Sequence, residues 1–91
     1  MAKMLKIEIV DPVGLYAIPA SELVATAKEY QSDIYVIYNN KKVNMKSVMG
    51  VLSLGIPKKA VITIEFDGYD ENDAFKKIKQ QIIEKGIGKA I

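Results

Sequence analysis

Chemistry in this chain has to be done with hydroxyls, carboxylates and lysines. The 91 residues contain no histidine and no cysteine, and every basic residue is a lysine. The commonest metal ligand and general base is therefore missing. Thiolate nucleophiles, thiolate metal sites and disulfides are missing with it. So is bidentate recognition of phosphate by a guanidinium. One hydroxyl stands out by its position. Ser47 directly precedes Val48, Met49, Gly50, Val51 and Leu52, a short apolar run that continues to Leu54 and is ended by Gly55 and Pro57. A serine there caps a helix by accepting an amide hydrogen bond. A phosphate on it meets free amides and the positive end of the helix dipole, so it is tolerated or mildly stabilising. A helix of barely two turns cannot bury so many apolar side chains. Val48, Met49 and Leu52 are therefore predicted to form an exposed patch beside Ser47, and methionine suits an adaptable surface. The blander reading is a serine cap on an over-hydrophobic core helix.

These residues need a frame, and the hydropathy pattern supplies one. Leu5, Ile7 and Ile9 alternate with Lys6 and Glu8, a half-buried strand broken by Asp11-Pro12 and Gly14. A helical period starts at Pro19, with Ala20, Leu23, Val24, Ala27 and Tyr30 on one face. Residues 34–38 are β-branched and aromatic and read as a strand. Asn39-Asn40 can take positive φ and close a hairpin onto a short strand at residues 42–44. The helix after Ser47 comes next. Residues 61–66 then form a strand, with Ile62, Ile64 and Phe66 on one face.

A last helix has Asp70, Glu71 and Asp73 in its first turn and Lys76, Lys77, Lys79 and Lys85 after them, as the macrodipole favours. Ala74, Phe75, Ile78 and Ile82 make its apolar stripe, and Gly86 caps it. The tail, residues 87–91, is expected to fray. The fold class is α+β in the order βαββαβα. A four-stranded antiparallel sheet carries three helices on one face, an open-faced β-sandwich. Residues 1–91 are read as a single domain.

Two stretches carry a family resemblance. Gly14-Leu15-Tyr16-Ala17-Ile18-Pro19-Ala20 is similar to the Gly-Leu-His-Ala-Arg-Pro-Ala signature of HPr, the small phosphocarrier of the bacterial sugar phosphotransferase system. Residues 42–55, from Lys42-Val43-Asn44 to Leu54-Gly55, resemble the regulatory serine region of Gram-positive HPr. They resemble equally the catabolite-repression paralogue that lacks the carrier histidine. In the family the histidine of the first motif takes phosphoryl from enzyme I and passes it to enzyme IIA, with the arginine beside it.

Tyr16 and Ile18 stand at those two positions here. A phosphoester on a phenol is a poorer phosphoryl donor than a phosphoimidazole, so the resemblance implies a body without the carrier chemistry and without a catalytic residue. It also implies that Ser47 is the target of HPr kinase/phosphorylase. Val48, Met49 and Leu52, with Tyr16 and Lys46 at their margin, would then contact the kinase and a transcriptional regulator or metabolic enzyme. Enzyme I and enzyme IIA are further partners the resemblance admits. A degenerate, unphosphorylated interaction module and residual sugar phosphotransfer are the competing functional readings. Tyr16 and Ile18 as surface residues without a task are the structural one.

Charge and composition exclude other classes. A net charge of +2 is too weak a field to argue for nucleic acid or a membrane surface. Lys41, Lys42, Lys46, Lys58 and Lys59 are read as solvated lysines rather than a binding face. The acids at Asp67, Asp70, Glu71 and Asp73 do not follow a calcium-loop spacing. No apolar run is long enough to span a bilayer, no cofactor is implied, and the cytoplasm is the expected compartment.

Overall fold

The computed structural model describes residues 2–91. Its first strand is β1 (Lys3–Ile9), followed by α1 (Ala17–Ala27) and the hairpin of β2 (Asp33–Tyr38) and β3 (Lys41–Asn44). Then come α2 (Val48–Leu52), β4 (Val61–Asp67), α3 (Glu71–Glu84) and β5 (Gly88–Ala90). The strands form one antiparallel sheet in the order β3-β2-β4-β1-β5.

Alternation decides which face is covered. Leu5, Ile7 and Ile9 of β1, Ile34 and Val36 of β2, and Ile62, Ile64 and Phe66 of β4 are all buried. They meet Leu23, Val24 and Ala27 of α1, Val51 of α2, and Ala74, Ile78 and Ile82 of α3. Each fully buried side chain of this size contributes roughly 1.5–3 kcal/mol relative to exposure. The other face of the sheet carries Lys42, Tyr35 and Glu65, with Lys42 Nζ 3.2 Å from Glu65 Oε1 and 4.5 Å from the centre of the Tyr35 ring. The α+β class, the three helices on one face and the hairpin at Asn39 (φ 54°) and Asn40 (φ 65°) agree with the sequence reading.

Two expectations are corrected, and the expected cap at Gly86 explains the first. The sheet has five strands rather than four, because the tail expected to fray pairs with β1 through Ile7–Ala90, Glu8–Lys89 and Ile9–Gly88. Gly86 (φ 67°) ends α3 with two closing bonds, from Gly86 N–H to the Ile83 carbonyl at 3.2 Å and from Ile87 N–H to the Ile82 carbonyl at 3.0 Å. That is a Schellman closure, and it turns the chain back under the sheet's free edge. Lastly, α1 begins at Ala17, before Pro19. The first amide bond of the helix is Ala20 N–H to the Tyr16 carbonyl at 3.0 Å. Pro19 thus still occupies a position whose missing N–H costs nothing.

Candidate functional site

The two stretches singled out from the sequence lie on neighbouring helices. α2 packs on α1, and both ends of α2's segment are tied to it. Leu15 N–H donates to the Ile56 carbonyl at 2.9 Å, joining the entry to α1 with the chain leaving α2. Lys46 Nζ donates to the Tyr30 carbonyl at 2.7 Å, joining the entry to α2 with the end of α1. The first of these ties depends on Gly14. At φ 85° it is in the left-handed region, and a β-carbon there would lie 2.5 Å from the Ile56 carbonyl oxygen. Only glycine lets the two backbones approach so closely.

Ser47 is the N-cap of α2, in extended backbone conformation (φ −123°, ψ 116°). Its Oγ accepts the Gly50 N–H at 3.1 Å, and its carbonyl accepts the Val51 N–H at 3.0 Å. The approach to it is fixed by an Asn44 turn, in which Lys46 N–H donates to the side-chain oxygen of Asn44 at 2.8 Å. Ser47 is only partly covered by protein, so its hydroxyl is anchored but not sealed.

The patch beside it is narrower than expected. Met49 is 78% exposed, whereas Val48 and Leu52 are partly buried and packed against the core. A five-residue helix that buries Val51 fully draws its flanking side chains partway in, and Met49 is left on the outward side.

Tyr16 is the N-cap of α1, but its side chain makes no capping bond. It is partly buried, while Ile18 on the first turn is 64% exposed. Val13, in the preceding turn, is exposed as well. The start of α1 is thus a partly covered phenol beside open aliphatic surface. Among the described residues no three carboxylates come together in a way that could hold a metal ion. A groove of about 240 Å³ lies elsewhere, between α1 and α3, lined by Thr26, Lys77, Gln80, Gln81, Glu84 and Lys85.

One polar constellation escaped the sequence reading. Asp70 was expected to serve the dipole of α3. Its carboxylate instead accepts Gln31 N–H at 2.8 Å, Ser32 N–H at 2.9 Å and the Ser32 hydroxyl. The hydroxyl bond, more than any other cause, holds the Asp70 carboxyl below its ordinary range. The partners are far apart in sequence, so no local pattern signals them.

The family described as the PTS HPr component phosphorylation site matches residues 4–84. The histidine-containing phosphocarrier protein of Mycoplasma is 38% identical with a TM-score of 0.92, over 94% of this chain and 98% of that one. HPr from Thermoanaerobacter tengcongensis is 42% identical with a TM-score of 0.87, over 92% of this chain and 94% of that one. Crh, the catabolite repression containing protein of Bacillus subtilis, was found as an intertwined dimer with a swapped domain. It is 35% identical with a TM-score of 0.72, over 85% of this chain and 88% of that one. The chain belongs to the HPr family, a family of phosphocarriers rather than catalysts.

Proposed function

We propose that this HPr-family chain is a regulatory protein whose signal is a phosphate on Ser47, not a relay of phosphoryl groups. One observation carries the reading. The hydroxyl that opens α2 is partly exposed beside the open side chain of Met49, while the carrier position holds Tyr16 and its neighbour Ile18 brings no charge. In the proposed step, HPr kinase/phosphorylase transfers the terminal phosphoryl of ATP, or one phosphoryl of pyrophosphate, to Ser47 Oγ. The P–O bond to the leaving ADP or phosphate breaks, and the hydroxyl proton passes to a base of the kinase. The phosphate adds about −1.5 to −2 charge at the helix entry. Val48, Met49 and Leu52, with Tyr16 and Lys46 at the margin, then form the surface for a transcriptional regulator or a metabolic enzyme. The compartment is the cytoplasm and the whole chain acts as one domain.

The test is incubation with a Gram-positive HPr kinase and ATP, read by intact mass. The expected result is one added phosphate on the wild type and none on Ser47→Ala. No addition to the wild type would overturn the reading. A second reading, a constitutive interaction module, is favoured by Ile18 and Val13, which leave apolar surface open without any modification. Pull-down with a candidate partner separates the two. Equal capture by wild type and Ser47→Ala supports the module, and capture that requires phospho-Ser47 supports regulation.

A further inference from the structure

We infer that the groove between α1 and α3 binds a small hydroxylated organic anion, a polyol carrying one phosphate or one carboxylate. The inference is independent of what happens at Ser47. Every residue that lines the groove, from Thr26 on α1 to Lys77 and Lys85 at its two ends, is polar or charged. A hydrocarbon ligand would bury little there. At about 240 Å³ the groove is smaller than the roughly 300–1,000 Å³ of sites that enclose drug-sized ligands. Its ligand is therefore small and keeps one side in solvent.

The hydrogen-bonding groups stand in an order that describes the ligand. The helices run antiparallel here. Gln81 meets Thr26, and one turn further along Lys85 Nζ lies 3.6 Å from Glu22 Oε2. Thr26 is 8% exposed, a hydroxyl in a helix contact where an apolar side chain is the commoner choice. Its one proton goes to Gln81 Oε1 at 2.6 Å, nearer than the Glu22 carbonyl at 3.2 Å. That bond fixes the Gln81 amide and leaves both N–H donors of its Nε2 without a protein acceptor among the described residues. Gln80 Nε2 donates to Glu84 Oε1 at 2.9 Å, so the Gln80 amide oxygen and the second Glu84 oxygen stay open as acceptors. Hydroxyl groups both donate and accept, and a row of fixed donors and acceptors suits them.

Charge fixes which way the ligand lies. Lys77 forms no ion pair among the described residues, whereas Lys85 is already drawn to Glu22. Lys77 and Glu84 are two turns apart on α3, about 10 Å along its axis. A free cation thus stands toward one end of the groove and a carboxylate toward the other. An anionic group is held at Lys77, and a second one at the far end would meet Glu84. The groove accepts one charge, and the hydroxylated body extends from it past Gln81 and Gln80 toward Glu84.

The test is a titration of the isotopically labelled full chain, read by the NMR signals of its backbone and side-chain amides. The probes are glycerol 3-phosphate, glycerate, glycerol and inorganic phosphate. The expected result is saturable shifts at Thr26 and residues 77–85, including the side-chain amides of Gln80 and Gln81. The hydroxylated anions should bind with a Kd on the order of 1 mM, and glycerol and inorganic phosphate about tenfold more weakly. A preference between glycerol 3-phosphate and glycerate supports the inference and names the charged group. Lys77→Gln should weaken both anions about tenfold and melt as the wild type does, since it loses no protein partner. Lys58→Gln, an exposed lysine in the turn before β4, should change nothing. Inorganic phosphate bound as tightly as glycerol 3-phosphate makes the groove an ion site only and overturns the inference. Glycerol bound as tightly as either anion overturns it, as does the absence of saturable shifts in the groove. Equal weakening by Lys77→Gln and Lys58→Gln reduces the binding to diffuse charge and overturns it too.

Discussion

Ser32 and Ser47 each sit where a loop meets a regular element, yet they are built to opposite ends. Ser32 is 1% exposed, and both its amide and its hydroxyl donate to Asp70. Gly68 presses against it so closely that a β-carbon there would lie 2.6 Å from Ser32 Cα. Ser47 is partly exposed, uses its hydroxyl oxygen to accept one amide, and has at Gly50 a looser neighbour, where a β-carbon would stand 3.3 Å from Ser47 Oγ, a snug contact with a side chain rather than a clash with backbone. A hydroxyl whose proton is spent on a carboxylate inside tight packing is a staple. A hydroxyl that only accepts at an open helix end keeps its proton and its access, and so can be modified. The same residue type serves structure in one place and a proposed signal in the other, and the difference lies in the neighbours.

The contrast is broken most strongly at the staple. Gly68→Ala puts a methyl 2.5 Å from Ser32 Oγ and 2.6 Å from Ser32 Cα, where backbone must move. Overpacking of this kind costs about 1–3 kcal/mol, to be seen as a lower urea midpoint with unchanged slope. A wild-type midpoint would mean that Ser32 is not held as tightly as its contacts indicate.

Ser32→Ala comes next and has a pH signature. The Ser32 hydroxyl is the leading cause that holds the Asp70 carboxyl low, with the Gln31 and Ser32 amides adding to it against an opposing desolvation. A carboxyl with a lowered folded pKa contributes stability that is fully present above its unfolded value, about 3.9. That contribution is lost as pH falls through the lower folded value. Melting curves between neutral pH and pH values below the ordinary aspartate range should therefore show a steeper acid loss for wild type than for Ser32→Ala. Parallel acid limbs would remove Asp70 from the account of acid stability.

At the other serine the cost is smaller and the chemical effect larger. Ser47→Ala loses one cap bond, worth about 1 kcal/mol, a modest fall in melting temperature at neutral pH. It should also lose all phosphate uptake in the intact-mass assay. Retention of phosphate by Ser47→Ala would direct attention to Ser53, whose hydroxyl is exposed at the other end of α2 and donates to the Gly50 carbonyl at 2.6 Å.

Local signals were legible and distant ones were not. Alternation marked the buried faces of β1 and β4, β-branched and aromatic content marked β2, the paired asparagines marked the hairpin, and Ser47 marked the start of α2. Each of these is written within a few residues. β5 was missed because Gly-Lys-Ala carries no β-branched or apolar alternation. It is a strand only because the closure at Gly86 lays it beside β1. The Asp70 staple was missed for the same reason, since first-turn acids read as dipole partners and nothing nearby names Ser32 as the acceptor's true object. At the candidate site, the cap was readable, but the division of the apolar run was not. Which of Val48, Met49 and Leu52 stays open depends on how α2 leans on α1, and the lean is set by the Leu15–Ile56 and Lys46–Tyr30 bonds.

Gly50→Ala probes the smallest expected effect and separates access from stability. Gly50 lies inside α2, where replacing glycine by alanine favours the helix by roughly 0.5–1 kcal/mol. The added β-carbon would stand 3.3 Å from Ser47 Oγ and 3.4 Å from Ser47 Cβ, a snug contact that a few tenths of an ångström relieve. The amide that Ser47 accepts is retained, so the cap survives. The variant should melt at or slightly above the wild-type temperature, the opposite sign to Gly68→Ala. Its rate of phosphate uptake then reports only on how freely the Ser47 hydroxyl can be reached. A stable Gly50→Ala that takes phosphate at the wild-type rate means the kinase approaches from the Lys46 side. A stable variant that takes it slowly means the approach runs over the open face of α2, alongside Met49.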